Sequence, residues 1–146
     1  MTLTIPPQQL VVSAFIADLR ARYGAPKVGD HEAPSAAFPH LIVYALDGGS
    51  MFVPGWFPER HVGVPLQVTC VGSRRDQAQA VADSVTEFVL GRNSNGVYVQ
   101  ALSTPPGWVM CDRLAGDAAS GVMVEGSAPL KVYTVPLRFT LLVTPA

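Results

Sequence analysis

Val64–Val71, VPLQVTCV, returns near the end of the chain as VPLRFTLLV, Val135–Val143. How these two segments relate decides the fold. In the first, Leu66, Val68 and Cys70 alternate with Gln67, Thr69 and Val71, the period-two pattern of a strand with one well-buried face. The second shares its Val, Pro, Leu and Thr at matching positions. Their surroundings differ: the first runs through Gly72 into a helical pattern, and the second reaches Thr144-Pro145-Ala146. A duplicated unit should extend beyond one strand. The segments therefore read as two strands of one sheet, each with a proline near its start and apolar residues facing the same helices.

Outward from the first strand, Ser73 is placed to cap a helix, with Asp76 three residues on completing an S-x-x-D box. Ala78, Val81, Ala82, Val85, Phe88 and Val89 form one stripe to about Leu90, and Gly91 fits a left-handed position after the last turn. An earlier helix is bounded by Pro6 and Pro7 at its start and by Gly24 and Pro26 at its end. Leu10, Val11, Ala14, Phe15, Leu19 and Tyr23 form its apolar face, leaving Asp18, Arg20 and Arg22 to solvent. Between the helices, His40–Leu46 reads as a strand, and Asp47-Gly48-Gly49-Ser50 as the turn of a hairpin into Met51-Phe52-Val53. Pro54, Gly55 and Pro58 put Trp56 and Phe57 on an extended loop, either tucked beneath it or facing a partner.

Beyond Arg92 the chain is rich in loops. NSNG and TPPG read as turns, VYVQAL and WVMC as short strands, and DRLAGDAASG as a polar excursion. Lys131–Val143 is a long final strand in which Pro136 cannot donate to a ladder, so the strand is at an edge there or bulged. The order predicts an α+β fold, a mainly antiparallel sheet with two amphipathic helices packed on one face. The length suits a single domain, residues 1–146, able to bury roughly 68–70% of its unfolded surface.

Composition narrows the functional classes. With 49% hydrophobic and 14% charged residues and a mean hydropathy of +0.28, part of the apolar surface is expected against another chain. A net charge of −1 gives no electrostatic basis for gripping nucleic acid or an anionic membrane. No apolar run reaches the ~18 residues of a membrane span, and the N-terminal sequence lacks the basic start of a signal peptide, so synthesis in the cytoplasm is expected. Cys70 and Cys111 stand in apolar surroundings and read as buried thiols in a reducing compartment, rather than a disulfide or a reactive site.

Catalytic and cofactor patterns are weak. CVGSRRDQ has the strand-Gly-helix setting of a phosphate loop but only one glycine and no lysine. No serine stands in a G-x-S-x-G elbow, and neither cysteine has an electropositive setting. His31, Glu32, His40 and His61 are the conceivable metal ligands, yet no ligand spacing links them. No catalytic, cofactor-binding or metal residue is assigned, and no cofactor is expected. From the residues alone, an assembly protein competes with a small-ligand or nucleotide-binding domain using Arg74 and Arg75 at a helix N-terminus.

The ordered series HLIVYALDGGSMFVPG, PLQVTCVGSRRDQAQAVADSVTEFVLG and GVMVEGSAPLKVYTVPLRFTLLVTP closely resembles the tail terminator, or tail completion, proteins of long non-contractile-tailed phages of actinobacteria. The resemblance covers most of the chain and is least diagnostic from Arg92 to Gly121. It implies a six-membered ring, without catalysis, that caps the head-proximal end of the tail tube and halts its polymerisation. The implied partners are further copies of itself, the major tail tube protein and the head–tail connector or stopper protein. The implied location is the virion tail and neck, reached from the host cytoplasm during assembly. No membrane and no sequence-specific nucleic acid is implied, with DNA passing through the ring lumen. Another neck component, a stopper or adaptor, is the alternative within this class. Trp56, Phe57, Arg74, Arg75 and Arg113 are the expected interaction residues, with the loop Asp47–Gly63 and the excursion Asp112–Gly126 as subunit- or tube-facing surfaces.

Overall fold

A computed structural model describes residues 8–34, 37–46, 51–52, 62–116, 122–126 and 131–146. The first helix, α1, spans Gln8–Tyr23 and is followed by a 3-10 turn, Ala25–Lys27. Strands β1 (Val28–Asp30), β2 (His40–Ala45), β3 (Met51–Phe52) and β4 (Val62–Gly72) come next. Helix α2 covers Arg75–Leu90, and β5 (Trp108–Ala115), β6 (Met123–Glu125) and β7 (Val132–Pro145) complete the fold. The sheet order is β1-β2-β4-β7-β5, with β3 also on β4 and β6 also on β7. Every pairing is antiparallel except β1 with β2, so the fold is α+β, as the sequence predicts.

The two V-P-L segments lie side by side at the centre of this sheet. β4 pairs with β7 in an unbroken register from Val62↔Val143 to Gly72↔Tyr133. Within it Pro65 stands opposite Thr140, Thr69 opposite Pro136, and Gln67 opposite Arg138. Matching residues thus exchange places about the Gln67/Arg138 pair, a local two-fold perpendicular to the sheet. The flanking strands obey the same relation. β2 runs beside Leu66–Val71 and β3 beside Val62–Gly63, while β5 runs beside Phe139–Pro145 and β6 beside Val132–Thr134.

Each proline therefore stands where the strand on its outer side is interrupted. A residue without an N–H costs nothing at such a break. The carbonyls there are still used: Leu46 N–H donates to Pro65 O at 3.2 Å and Gly116 N–H to Arg138 O at 2.7 Å. The helices fit the same scheme, since α1 precedes β2, β3 and β4 as α2 precedes β5, β6 and β7, both helices being 16 residues long. The sequence argues against duplication, but the order of elements repeats. Sequence similarity persists only at the central ladder, where both copies meet the same demand.

Both helices cover one face. Val11, Phe15 and Leu19 of α1, with Ala78, Ala82, Val85 and Val89 of α2, pack on Leu66, Val68, Cys70, Phe139 and Leu141 in a single core. Tyr23 joins the helices through its hydroxyl, 2.7 Å from Ser84 Oγ, and its ring edge against Phe88. The α1 stripe is rotated from the predicted one: Leu10 is exposed, while Val12 and Ile16 are buried. Residues 11, 12, 15, 16 and 19 form a contiguous helical face that excludes Leu10.

Other local expectations change for identifiable reasons. β2 and β3 do not form a hairpin with each other; both pair with β4, and the predicted turn at Asp47–Ser50 lies outside the described residues, as do Pro6 and Pro7. VYVQAL is not a strand: only Tyr98 bridges, to Arg92. DRLA belongs to β5 rather than to a polar loop. β7 is an interior strand, at an edge only locally near Pro136. At α2, Gln77 Oε1 accepts the Ser73 N–H at 2.9 Å and its hydroxyl at 3.0 Å. The cap thus runs from Gln77 back to Ser73, not from Ser73 to Asp76. Gly91 has φ −60° rather than a left-handed value. A Cβ there would stand 2.4 Å from Glu87 O, so close approach explains the glycine.

Leu66 and Phe139 are cross-strand partners in the core. Leu66→Ala and Phe139→Ala are each expected to cost about 2–5 kcal/mol in urea unfolding. Because the side chains touch the same core space, the double variant should deviate from additivity.

Candidate interaction surfaces

A clasp binds the end of α2 to β5. Arg113 is 6% exposed, and its Nη1 donates to Val89 O at 3.1 Å while Nη2 donates to Gln100 O at 2.5 Å. The carbonyl of Val89, in the last turn of α2, lacks an ordinary helical partner, which a guanidinium supplies. The Arg113 and Arg92 guanidinium carbons each lie 4.3 Å from the Tyr98 ring centroid. Arg92 donates to the Tyr98 hydroxyl at 2.6 Å, and that hydroxyl lies 2.5 Å from Asp112 Oδ1. The Tyr98 hydrogen bond, aided by the Arg113 backbone N–H, holds the Asp112 carboxyl below the usual carboxylate range. Sequence reasoning missed this cluster: nothing in the spacing of Arg92, Tyr98, Asp112 and Arg113 marks it, because the chain between α2 and β5 has no regular period.

Both outer strands have backbone acceptors occupied by side chains. On β1, Val28 O accepts from Arg20 Nε at 3.3 Å. On β5, Trp108 O accepts from Thr104 Oγ1 at 2.7 Å and Arg113 O lies 3.2 Å from the Tyr98 hydroxyl. The β5 register also shifts between Met110 and Asp112. Such caps and bulges discourage strand-to-strand addition at those positions. Opposite the two described helices the sheet presents its other face. On that face Gln67 Oε1 accepts from Arg138 Nε at 3.2 Å.

Among the described residues, two hollows lie beside the helices. One, of about 500 Å³, lies between α1 and the β1–β2 end and is lined by Gln8, Val12, Ser13, Asp30, His31 and Ala45. The other, of about 210 Å³, lies where both helices end, beside Arg22, Glu87, Arg92 and Val99. In the first, the Ala45 N–H donates to His31 Nε2 at 3.0 Å, and His31 Nδ1 contacts Asp30 Oδ1.

Of the sequence-predicted residues, Arg74, Arg75 and Arg113 are described, and they do not come together. Trp56 and Phe57 lie outside the described residues. Arg74 and Arg75 are exposed at the start of α2, with Arg74 Nε 3.4 Å from Asp76 Oδ1, whereas Arg113 is inside the clasp. Gly72, the glycine of the phosphate-loop-like stretch, has a packing role: a Cβ there would meet Ala78 N at 2.8 Å. Of the conceivable metal ligands, His31 and Glu32 are exposed, His40 is buried on the sheet, and His61 lies outside the described residues. Among the described residues no three His, Cys, Asp or Glu side chains gather to hold an ion, and no described helix is long and apolar enough to cross a membrane. Cys70 is buried, which pushes its thiol up to about 12. Cys111 departs from expectation in being exposed, at the β5 irregularity, with Sγ donating to Leu142 O at 3.1 Å.

No protein-family model and no curated protein sequence matches the chain. Its fold does match a solved one: a chain in the virion of a native gene transfer agent particle superposes with a TM-score of 0.52 at 14% identity, covering 94% of this chain and 93% of that one.

Two outcomes test this geometry. Arg113→Ala strips the donors from Val89 O and Gln100 O and should cost about 2–4 kcal/mol in urea unfolding. His40 stacks on Phe38, and burial lowers its proton affinity below the ordinary histidine value. Its folded-state pKa lies below its unfolded one, so its contribution is complete above about pH 6.5 and is lost as pH falls through the folded value. The thermal midpoint of the wild-type chain should therefore decline between pH 6.5 and 5 more steeply than that of His40→Gln.

Proposed function

We propose that this chain is a structural virion protein that forms a ring, six-membered by the resemblance, at the head-proximal end of a phage tail tube. The ring ends tube polymerisation and joins tail to head connector, the role of a tail terminator. The observation that carries the virion reading is the shared fold with a gene transfer agent virion chain over nearly the full length of both. The finer role draws on the ordered motifs around the two V-P-L strands. Physical features support assembly: both described helices pack on the same face of the sheet, and Val97, Val99, Val109, Leu114, Met123 and Val124 are exposed. Capped outer strands favour contacts between specific surfaces over open-ended strand addition.

Light scattering across a concentration series, alone and with purified tails lacking this protein, tests the proposal. A species of six 15.5 kDa chains that restores head joining is the expected result. A twelve-membered species would reassign the chain to another neck component, and failure to oligomerise or to bind tails would reject the ring.

A further inference from the structure

The two ends of the sheet differ in a complementary way. At the β5 end, Val97 and Val99 are held out at 59% and 63% exposure, while Tyr98 between them turns inward to Arg92, Asp112 and Arg113. The turn beneath is fixed as well, with Asn93 Oδ1 accepting from the Asn95 and Val97 N–H groups at 2.9 and 3.1 Å. The result is an apolar knob whose ordering cost has been met within the subunit. Beside Val99, Arg22, Arg92 and Arg113 outnumber the carboxylates of Glu87 and Asp112; Arg92 lies 3.6 Å from Asp112, whereas Arg22 has no carboxylate partner among the described residues.

At the β1–β2 end lies the larger hollow. Val12 and Ala45 supply its apolar surface, and Asp30, whose Oδ1 contacts His31 Nδ1, is the one formally charged residue in its described lining. Exposed Glu32 follows close by in sequence. Its volume falls within the roughly 300–1,000 Å³ of pockets that accept a ligand-sized group.

We propose that Val97 and Val99 of one copy seat in the α1–β1 hollow of the next, with the Arg22 and Arg92 side of the knob facing Asp30 and Glu32. This inference rests on the ring reading and names its subunit contact. The occupant is a second copy because this chain carries both halves of the contact, apolar knob with excess positive charge and apolar hollow with excess negative charge. The halves occupy opposite ends of the sheet, so the contact is head-to-tail, the type that closes a ring. The contact is made by side chains and needs no added strand.

The test uses the full chain carrying Cys111→Ser. Val97→Cys is combined with Ser13→Cys, and Val99→Cys with Gln9→Cys; each is oxidised, or joined by a short bis-maleimide, and run on non-reducing gels. The expected result is a ladder of covalent multimers ending at the ring size, with no ladder from single-cysteine variants. In parallel, Val97→Asp with Val99→Asp should raise the concentration needed for assembly by at least the order of tenfold. Its thermal midpoint should be unchanged, since both valines are exposed. If the wild-type chain forms a ring, no cysteine pair ladders, and the double aspartate variant assembles at the same concentration, the contact is overturned and the ring stands. A chain that stays monomeric at every concentration and on tails overturns both.

Discussion

The antiparallel ladder of β4 and β7 is the interaction on which the rest of the molecule depends. It runs unbroken for the whole length of β4, and its inward side chains are the floor on which both helices lie. Fixing this one register fixes the faces of two strands together, because a slip by one residue would turn Leu66, Val68 and Leu141 out of the core and bring Gln67 and Arg138 into it. Burying each such aliphatic side chain stabilises by about 1.5–3 kcal/mol, so alternative registers are heavily disfavoured. The Gln67–Arg138 contact at the midpoint, on the opposite face, is solvent-accessible and contributes less energy than alignment.

From that ladder the positions of the prolines follow. A proline within a central strand removes a ladder donor, and here two central strands carry one each. The fold accommodates them by interrupting the outer neighbour at each site, so that β2 gives way to β3 beside Pro65 and β5 to β6 beside Pro136. The shared V-P-L is therefore a trace of common geometry: each long strand must serve an unbroken partner on one side and a divided one on the other.

Much of this was legible in the sequence where a period was strong. The alternation in Leu66–Val71 and the stripe from Ala78 to Val89 placed β4 and α2, and with them the α+β class. Caps and glycines were read less well, because Ser73, Gln77 and Gly91 each have several local solutions and tertiary packing chooses among them. Gly72 shows the same limit: a strand-Gly-helix pattern is compatible with phosphate binding or with close packing, and the 2.8 Å approach of Ala78 N accounts for the glycine by packing. Least legible was the Tyr98 clasp. It depends on residues from three separate segments that the fold brings together, and its charged members, Arg113 among them, look in sequence like surface residues.

The near-symmetry of the core also clarifies why the two ends of the sheet can serve different purposes. After α1 the chain makes a 3-10 turn and adds β1 to the sheet, whose outer edge is then closed by Arg20. After α2 the corresponding stretch does not join the sheet; it folds on the Asn93–Gly96 turn and is clasped to β5 through Tyr98. One end therefore gains a hollow beneath α1, and the other gains a projection. Had both halves ended alike, the surfaces available would have matched themselves, favouring a closed two-fold dimer. A pseudo-symmetric core with unlike ends instead combines the stiffness of a single shared sheet with the polarity that the proposed head-to-tail ring requires.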